Sequence, residues 1–196
     1  MLIVITGTPG TGKTEVSKAL GKIIGARVIR LSEFANEKKL ASGFNKKMGC
    51  SLVDAEKLRK ALLSELKKAN AGNIVVEGHL ACEMRIPADF VFVLRCNPKI
   101  LGRRMEMRDY PEEKINGNMM AEMLDYCTQL SNSNYGAEKV FELETSKSDA
   151  SEVAQKIKRI ASGKKVADKP ISYRNELMEF IGISKGRKQK WTTKKG

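Results

Sequence analysis

Near the amino terminus three glycines, a lysine and a threonine fall within eight residues: Gly7-Thr8-Pro9-Gly10-Thr11-Gly12-Lys13-Thr14. The spacing is G-x-x-x-x-G-K-[ST], and its flanks suit it. Leu2-Ile3-Val4-Ile5 is an apolar, strand-like run, and Lys13 to Ile24 carries an amphipathic helical period. The glycines let the backbone curl with its N–H groups turned inward. Those donors, with the positive end of the following helix, form a cradle for phosphate oxygens. Lys13 is placed to reach β- and γ-phosphates and the Thr14 hydroxyl to ligate Mg²⁺. Gly10, Gly12, Lys13, Thr14 and Glu15 are therefore the expected nucleotide-binding set. A glycine turn that merely closed a strand–helix unit would need neither the lysine nor the hydroxyl. The stretch predicts binding of a nucleoside triphosphate.

Further along, charged residues stand where apolar runs end. Asn73-Ile74-Val75-Val76-Glu77 is followed by Gly78-His79, and Asp89-Phe90-Val91-Phe92-Val93-Leu94 by Arg95. Strands apolar on both faces, alternating with helices, predict an α/β fold with a parallel sheet covered on both sides. Ligands in such sheets sit beyond the carboxyl ends of the strands. Gly7, Glu77, His79 and Arg95 are thus expected to converge on one cleft. Asn97-Pro98 starts the next helix as cap and first-turn proline. Arg104 and Arg108 lie four apart on it, a spacing that lets two guanidiniums grip one polyphosphate. Cations so placed are what phosphoryl transfer requires; a solvated basic face is the alternative. The Asn/Thr-Lys-x-Asp base-reading motif of a GTPase is absent.

The remaining elements supply the frame. The first helix closes at Gly25, and Arg27–Arg30 is a short strand. Ser32 is expected to cap a helix through Glu33–Leu40, whereas residues 41–53 show neither helical nor strand period. Asp54 caps a helix whose Leu58, Leu62, Leu63 and Leu66 form an apolar stripe. The chain breaks at Asp109-Tyr110-Pro111, and residues 112–131 resume one helix with Ile115, Met119, Met123 and Tyr126 on its inner side. Val140–Leu143 is the last strand and Ser151–Ile160 the helix after it. Gly163–Lys169 reads as a linker, Ser172–Ile181 as a short amphipathic helix, and residues 184–196 as a Lys/Arg-rich tail around Trp191.

Composition bounds the partners. The 196 residues carry a formal net charge of +13. Residues 163–196 hold ten Lys/Arg against three acids, so this basic C-terminal extension contributes +7. Such a tail predicts a polyanionic neighbour, with RNA or a ribonucleoprotein the natural candidate. A solubilising tail is the plainer reading. No apolar run approaches the ~20 residues of a membrane span, and the chain opens directly on its first strand, so neither membrane nor signal peptide is expected. The four cysteines lie far apart and read as reduced thiols of a cytoplasmic protein.

The order GTPGTGKT, VVEGH, FVFVLRCNP and RRMEMRDYPEEK, with Asn118 and Ala121-Glu122 beyond, resembles the adenylate kinase superfamily. More narrowly it is similar to the small adenylate kinase/ATPase family that acts in small ribosomal subunit assembly. The likeness covers roughly residues 1–160. It implies a P-loop NTPase domain at 1–162, three layers α/β/α around a five-stranded parallel sheet. A nucleoside-monophosphate-binding segment would span about 32–51 and a short lid about 107–117. It also implies Mg-ATP and AMP as substrates, some ATPase activity, Arg108 on ATP, and Arg104 with Arg108 on the transferring phosphoryl. Lys114 and Arg95 would help hold phosphates. The family's Asp-x-His motif, with the carboxylate near Mg²⁺ and the histidine linked to a water, reads here Glu77-Gly78-His79. Glutamate reaches one methylene further, so contact with the metal is expected through water. The implied catalytic set is Lys13, Glu77, His79, Arg104 and Arg108, with Thr14 and Glu77 at the metal. The lid reads Asn116-Gly117-Asn118 where the family usually has an acid before the asparagine. The implied partners are a small ribosomal subunit precursor, rRNA or a small-subunit ribosomal protein. A rival reading is an assembly ATPase for which AMP phosphorylation is incidental. The glycine triplet that shikimate binding calls for is absent.

Overall fold

A computed structural model describes residues 1–45, 50–68, 72–164 and 170–182. In chain order the elements are β1 (Leu2–Thr6), α1 (Lys13–Ile24), β2 (Ala26–Arg30), α2 (Leu31–Glu37), β3 (Ala41–Asn45), β4 (Cys50–Val53) and α3 (Ala55–Lys68). There follow β5 (Asn73–Glu77), a 3₁₀ turn at His79–Glu83, β6 (Phe90–Arg95), α4 (Pro98–Glu106), α5 (Glu112–Met123), α6 (Tyr126–Tyr135), β7 (Val140–Glu144), α7 (Ala150–Ala161) and α8 (Arg174–Phe180).

The apolar runs assemble into one parallel sheet in the order β2-β5-β1-β6-β7. β1 is central: Ile5 lies opposite Glu77 on one side and Phe92 on the other. Alternation within each strand divides the core. Val4, Val76 and Val91 pack with Phe34, Leu58, Leu62 and Met84 on one face. Ile3, Ile5, Val75, Phe92 and Leu94 pack with Val16, Leu20, Val153 and Ile157 on the other. These are the three layers expected for runs apolar on both faces. Local punctuation holds too. Gly25 closes α1 in the left-handed region at φ 61°, and the Asp54 carboxylate accepts from the N–H groups of Glu56 and Lys57. Asn97 caps α4 with Pro98 in its first turn.

Elsewhere the local structure departs from expectation. Helix α2 begins at Leu31, inside which Ser32 caps nothing, and it stops at Glu37 rather than Leu40. Residues 41–53 contain an antiparallel hairpin, with Ala41 opposite Val53 and Asn45 opposite Cys50. Ala41 to Phe44 are exposed throughout, so these strands have no buried face to impose alternation. The single helix expected over 112–131 is two helices, broken at Leu124–Asp125 with Asp125 left-handed at φ 54°. Ile115, Met119 and Met123 are buried as expected, but Tyr126 falls on α6 and is 45% exposed.

The chain's last described segment packs on the domain. Tyr173, Leu177 and Phe180 join Cys96, Leu101, Met105 and Met119 in one apolar cluster. The Tyr173 ring faces the Arg95 guanidinium at 5.3 Å, Asn97 Nδ2 donates to Glu176 at 3.2 Å, and Lys99 pairs with Glu179 at 3.0 Å. Residues 170–182 therefore share the core even though composition groups them with the basic extension. Most of the expected linker (165–169) and the tail around Trp191 lie outside the described residues. Truncation after Lys164 should lower unfolding stability by about 2 kcal/mol or more, since burial of one large apolar side chain is worth ~1.5–3 kcal/mol. Truncation after Gly182 retains every contact named here. Calorimetric midpoints check this, and equal midpoints for the two truncations would show that α8 adds nothing.

Candidate active site

The glycine-rich loop leaves the central strand at its carboxyl end. Gly7 sits at φ 134°, and a Cβ there would come 2.3 Å from the Leu94 carbonyl oxygen, so the tight exit needs glycine. Gly12, left-handed at φ 94°, stands at the amino-terminal cap of α1. Lys13 is buried, its Nζ donating to the carbonyls of Gly7 (2.8 Å) and Thr8 (3.0 Å). Burial pushes its pKa below the ordinary lysine value, opposed first by the nearby Glu77 carboxylate. Thr14 Oγ1 lies 3.4 Å from Glu77 Oε2 at the end of the adjacent strand. Burial pushes the Glu77 carboxyl up, while Lys13 and Arg30 pull it down. One hydroxyl and one carboxylate at the phosphate cradle are the oxygen donors that Mg²⁺ accepts, since it binds few protein ligands and shares the rest with phosphates and water. Among the described residues no group of three or more His, Cys, Asp or Glu forms a fuller cage. The donor set therefore fits a magnesium ion brought in with a nucleotide.

His79 lies just past β5. Its side chain is exposed at one edge, yet the surrounding protein, and then the ammonium groups of Lys13 and Lys114, push its pKa down. Neutral imidazole is the form present at pH 7. Arg104 and Arg108 both line a cleft of about 320 Å³ together with Gly10, Thr11, Gly12, Glu15 and Thr145. Arg104 is anchored: Nη2 donates to the Thr145 carbonyl at 2.9 Å and Nη1 lies 3.4 Å from Cys96 Sγ. Arg108 is exposed at the rim, one residue before Asp109 turns the chain at φ 54°. Glu15 points outward and pairs with Lys18 at 3.0 Å, although it borders the cleft. Lys114 lies 4.1 Å over the Tyr110 ring, within the segment expected to form a lid.

Arg95 corrects the expectation of a phosphate ligand at that strand end. It is 1% exposed, and its guanidinium donates to Glu122, Asp125 and Glu142 and to the Thr128 hydroxyl. Burial alone would lower its pKa, but those carboxylates outweigh it and keep the group charged. Of the expected residues, Gly10, Gly12, Glu15, Arg104 and Arg108 line the cleft together, whereas Lys13, Thr14, Glu77 and His79 are grouped around the loop and the end of β5 and do not line it. Two residues escaped the sequence reading. Thr145, at the end of β7, places its hydroxyl within 2.9 Å of the Thr11 carbonyl and 2.8 Å of the Arg95 carbonyl. The rule that sites gather at strand ends would have pointed to it. Glu122, to which the resemblance assigns no role, is 2% exposed and sits one residue from the end of α5, on a helix rather than at a strand end.

Arg108 falls past the end of α4, not on the helix as its four-residue spacing from Arg104 predicts. A phosphate-binding loop between the central strand and α1, with Arg104 on α4 and Arg108 just beyond it in the same cleft, defines a P-loop kinase. Known proteins of similar sequence agree with this class. The family model for the AAA domain matches residues 3–125. A protein from Methanocaldococcus jannaschii named "Putative adenylate kinase" is 32% identical over 93% of this chain and 98% of its own length. Its namesake from Methanosarcina acetivorans is 37% identical over 93% and 94%. Shikimate kinase from Acinetobacter baumannii, at 16% identity and TM-score 0.59 over 85% of this chain and 95% of that one, shares the fold. The chain belongs to the adenylate kinase superfamily.

Proposed function

We propose that the protein catalyses reversible phosphoryl transfer between Mg-ATP and AMP, with slower ATP hydrolysis. The observation that carries this is the presence of Arg104 and Arg108 in one cleft with Gly10 and Gly12. In-line transfer asks little covalent chemistry of the protein, so positioning and charge neutralisation supply the rate. The loop amides and Lys13 hold the β- and γ-phosphates. The two guanidiniums meet charge that spreads over the equatorial oxygens in the transition state. Thr14 and Glu77 would hold a magnesium ion brought in with the nucleotide, which would neutralise phosphate charge. Neutral His79 orients a water at the same end of the sheet. Closure of residues 107–117 excludes bulk water, and its shortness accounts for residual hydrolysis. Residues 32–51, including the exposed hairpin, supply the monophosphate side. The relatives' name supports AMP as acceptor. A coupled assay with and without AMP tests the proposal: ADP should form at least tenfold faster with AMP, and turnover no faster with AMP than without it would remove it.

The formal charge of +13 favours a second reading, an assembly ATPase acting in small ribosomal subunit maturation in the cytoplasm. There the tail residues Lys185, Arg187, Lys188 and Lys190, with Trp191, would grip rRNA or a small-subunit ribosomal protein. Truncation after Gly182 should leave AMP phosphorylation intact and abolish salt-sensitive RNA binding. Unchanged RNA affinity would end that reading.

The raised pKa of Glu77 sets a pH dependence. As pH falls, Glu77 takes up a proton before an ordinary carboxylate does, and the charge facing the metal is lost. Turnover at fixed Mg²⁺ should therefore decline from a pH above the ordinary carboxylate range, and excess Mg²⁺ should shift that limb to lower pH. For stability the sign is opposite, because a carboxylate with a raised folded pKa is held better protonated. Glu77→Gln should lower turnover while raising the midpoint of the empty protein. A parent profile that declined only within the ordinary carboxylate range would refute the metal assignment.

A further inference from the structure

Glu122 is a buried carboxylate that phosphoryl transfer does not use. It is 2% exposed, sits one residue from the end of α5, and spends both oxygens on distant parts of the chain. Oε2 accepts from Thr8 Oγ1, inside the phosphate loop, at 2.5 Å. Oε1 accepts from Arg95 Nε at 2.8 Å and from the Cys96 N–H at 3.0 Å. The Thr8 carbonyl is one of the two oxygens that hold the Lys13 ammonium, and it also takes the Thr11 hydroxyl at 2.9 Å. A continuous chain thus runs from Lys13 through Thr8 to Glu122, and from there into the buried Arg95 cluster.

The far end of α5 has a different character. Its first turns carry Lys114 and join α4 through the left-handed Asp109. The helix is clamped at its carboxyl end by Glu122 and by Asp125 on Arg95, whereas Glu112 and Glu113 at its other end are exposed. We propose that Glu122 is a positioning residue that, through the Thr8 hydroxyl, holds the phosphate loop in register with the helix that carries the lid. It touches no substrate. It fixes the loop carbonyls from which Lys13 departs when phosphate arrives, and it fixes them against the same helix that brings the lid down. A buried carboxylate with three donors and no freedom to rearrange suits that task. The inference deepens the kinase reading and rests on it for the direction of the effect on turnover.

Four variants test it: Thr8→Val, Thr8→Ser, Glu122→Gln and the Thr8→Val/Glu122→Gln double. Each is measured for kcat, KM for ATP, calorimetric Kd for Mg-ATP and thermal midpoint. Thr8→Val keeps shape and loses only the hydroxyl, so it decides the matter even if Glu122→Gln fails to fold. Its kcat should fall about tenfold with Kd for Mg-ATP weakened severalfold, Thr8→Ser should stay within twofold of the parent, and the double variant should be no worse than the worse single. Asp125→Asn, which loosens the same cluster without touching the loop, should lower the midpoint and leave kcat unchanged. Thr8→Val at parental kcat and Kd overturns the inference, as does an Asp125→Asn loss of kcat equal to that of Thr8→Val. A parent that binds Mg-ATP yet does not phosphorylate AMP would sink the kinase reading instead, and the Kd comparison would still decide the role of Glu122.

Discussion

Replacing Lys13 by methionine should abolish phosphoryl transfer while leaving the empty protein at least as stable as the parent. The two halves of this expectation have one cause. The ammonium is buried, and its environment as a whole disfavours the charge, so its pKa lies below the ordinary value. The folded state therefore binds the proton less firmly than the unfolded chain. Below the depressed pKa the charge is a net cost to folding, and that cost is relieved as pH rises toward the unfolded value. The carbonyls of Gly7 and Thr8 recover part of it, but Thr8 keeps the Thr11 hydroxyl when the lysine is gone. Methionine fills a similar volume without the desolvated charge. On the functional side, no other side chain in the loop can meet a γ-phosphate with positive charge, so turnover should fall by about 10³ or more. Mg-ATP at a hundred times its Kd should stabilise the parent by about 2.7 kcal/mol and the variant not at all. Thermal shifts with and without nucleotide, at pH 7 and near pH 10, read both effects. A variant less stable than the parent at pH 7 would mean that Lys13 holds the loop together rather than waiting for phosphate.

How much of this was legible beforehand follows from where each constraint resides. The phosphate loop could be read because its chemistry is local: glycines, lysine and threonine within eight residues, between a strand and a helix. The sheet was equally clear, since Ile3 to Ile5, Val75, Val76 and Val91 to Leu94 are buried on both faces. The hairpin of β3 and β4 stayed hidden because its strands bond only to each other and show both faces to solvent. The break at Asp125 and the true role of Arg95 are tertiary facts. Asp125 takes a left-handed conformation and its carboxylate meets a guanidinium 30 residues away. The strand-end rule placed Arg95 at the right end of the sheet. It could not foresee that Glu122 and Glu142, 27 and 47 residues distant, would claim it from behind. Helical spacing pointed to Arg104 and Arg108, but α4 ends at Glu106, and only the structure separates the anchored arginine on the helix from the exposed one past its end.

That separation leads to the second large effect. Arg108→Ala should lower kcat about 10²- to 10³-fold with the thermal midpoint unchanged, whereas Arg104→Ala should lower both. Arg108 is exposed at the rim of the cleft, so its loss removes no buried contact, and surface substitutions of this kind stay within about 0.5 kcal/mol. Its worth lies wholly in the transition state, where a guanidinium supplied to a transferring phosphoryl accounts for ~10³–10⁵ in rate in related chemistry. The lower figure is expected here because Arg104 remains in the cleft. Arg104, by contrast, is half-buried and holds the carbonyl of Thr145, the residue whose hydroxyl bridges the loop and β6. Removing it strands that carbonyl at a cost of about 1–3 kcal/mol. Lysine should rescue neither position fully, since a point charge cannot reproduce a planar fork. Rapid-quench measurement of a single turnover separates chemistry from product release and so reads Arg108 directly. If Arg108→Ala transferred phosphoryl within threefold of the parent, the cleft's outer cation would lie away from the reacting phosphorus. Arg104, with its anchored geometry, would then have to supply the charge alone.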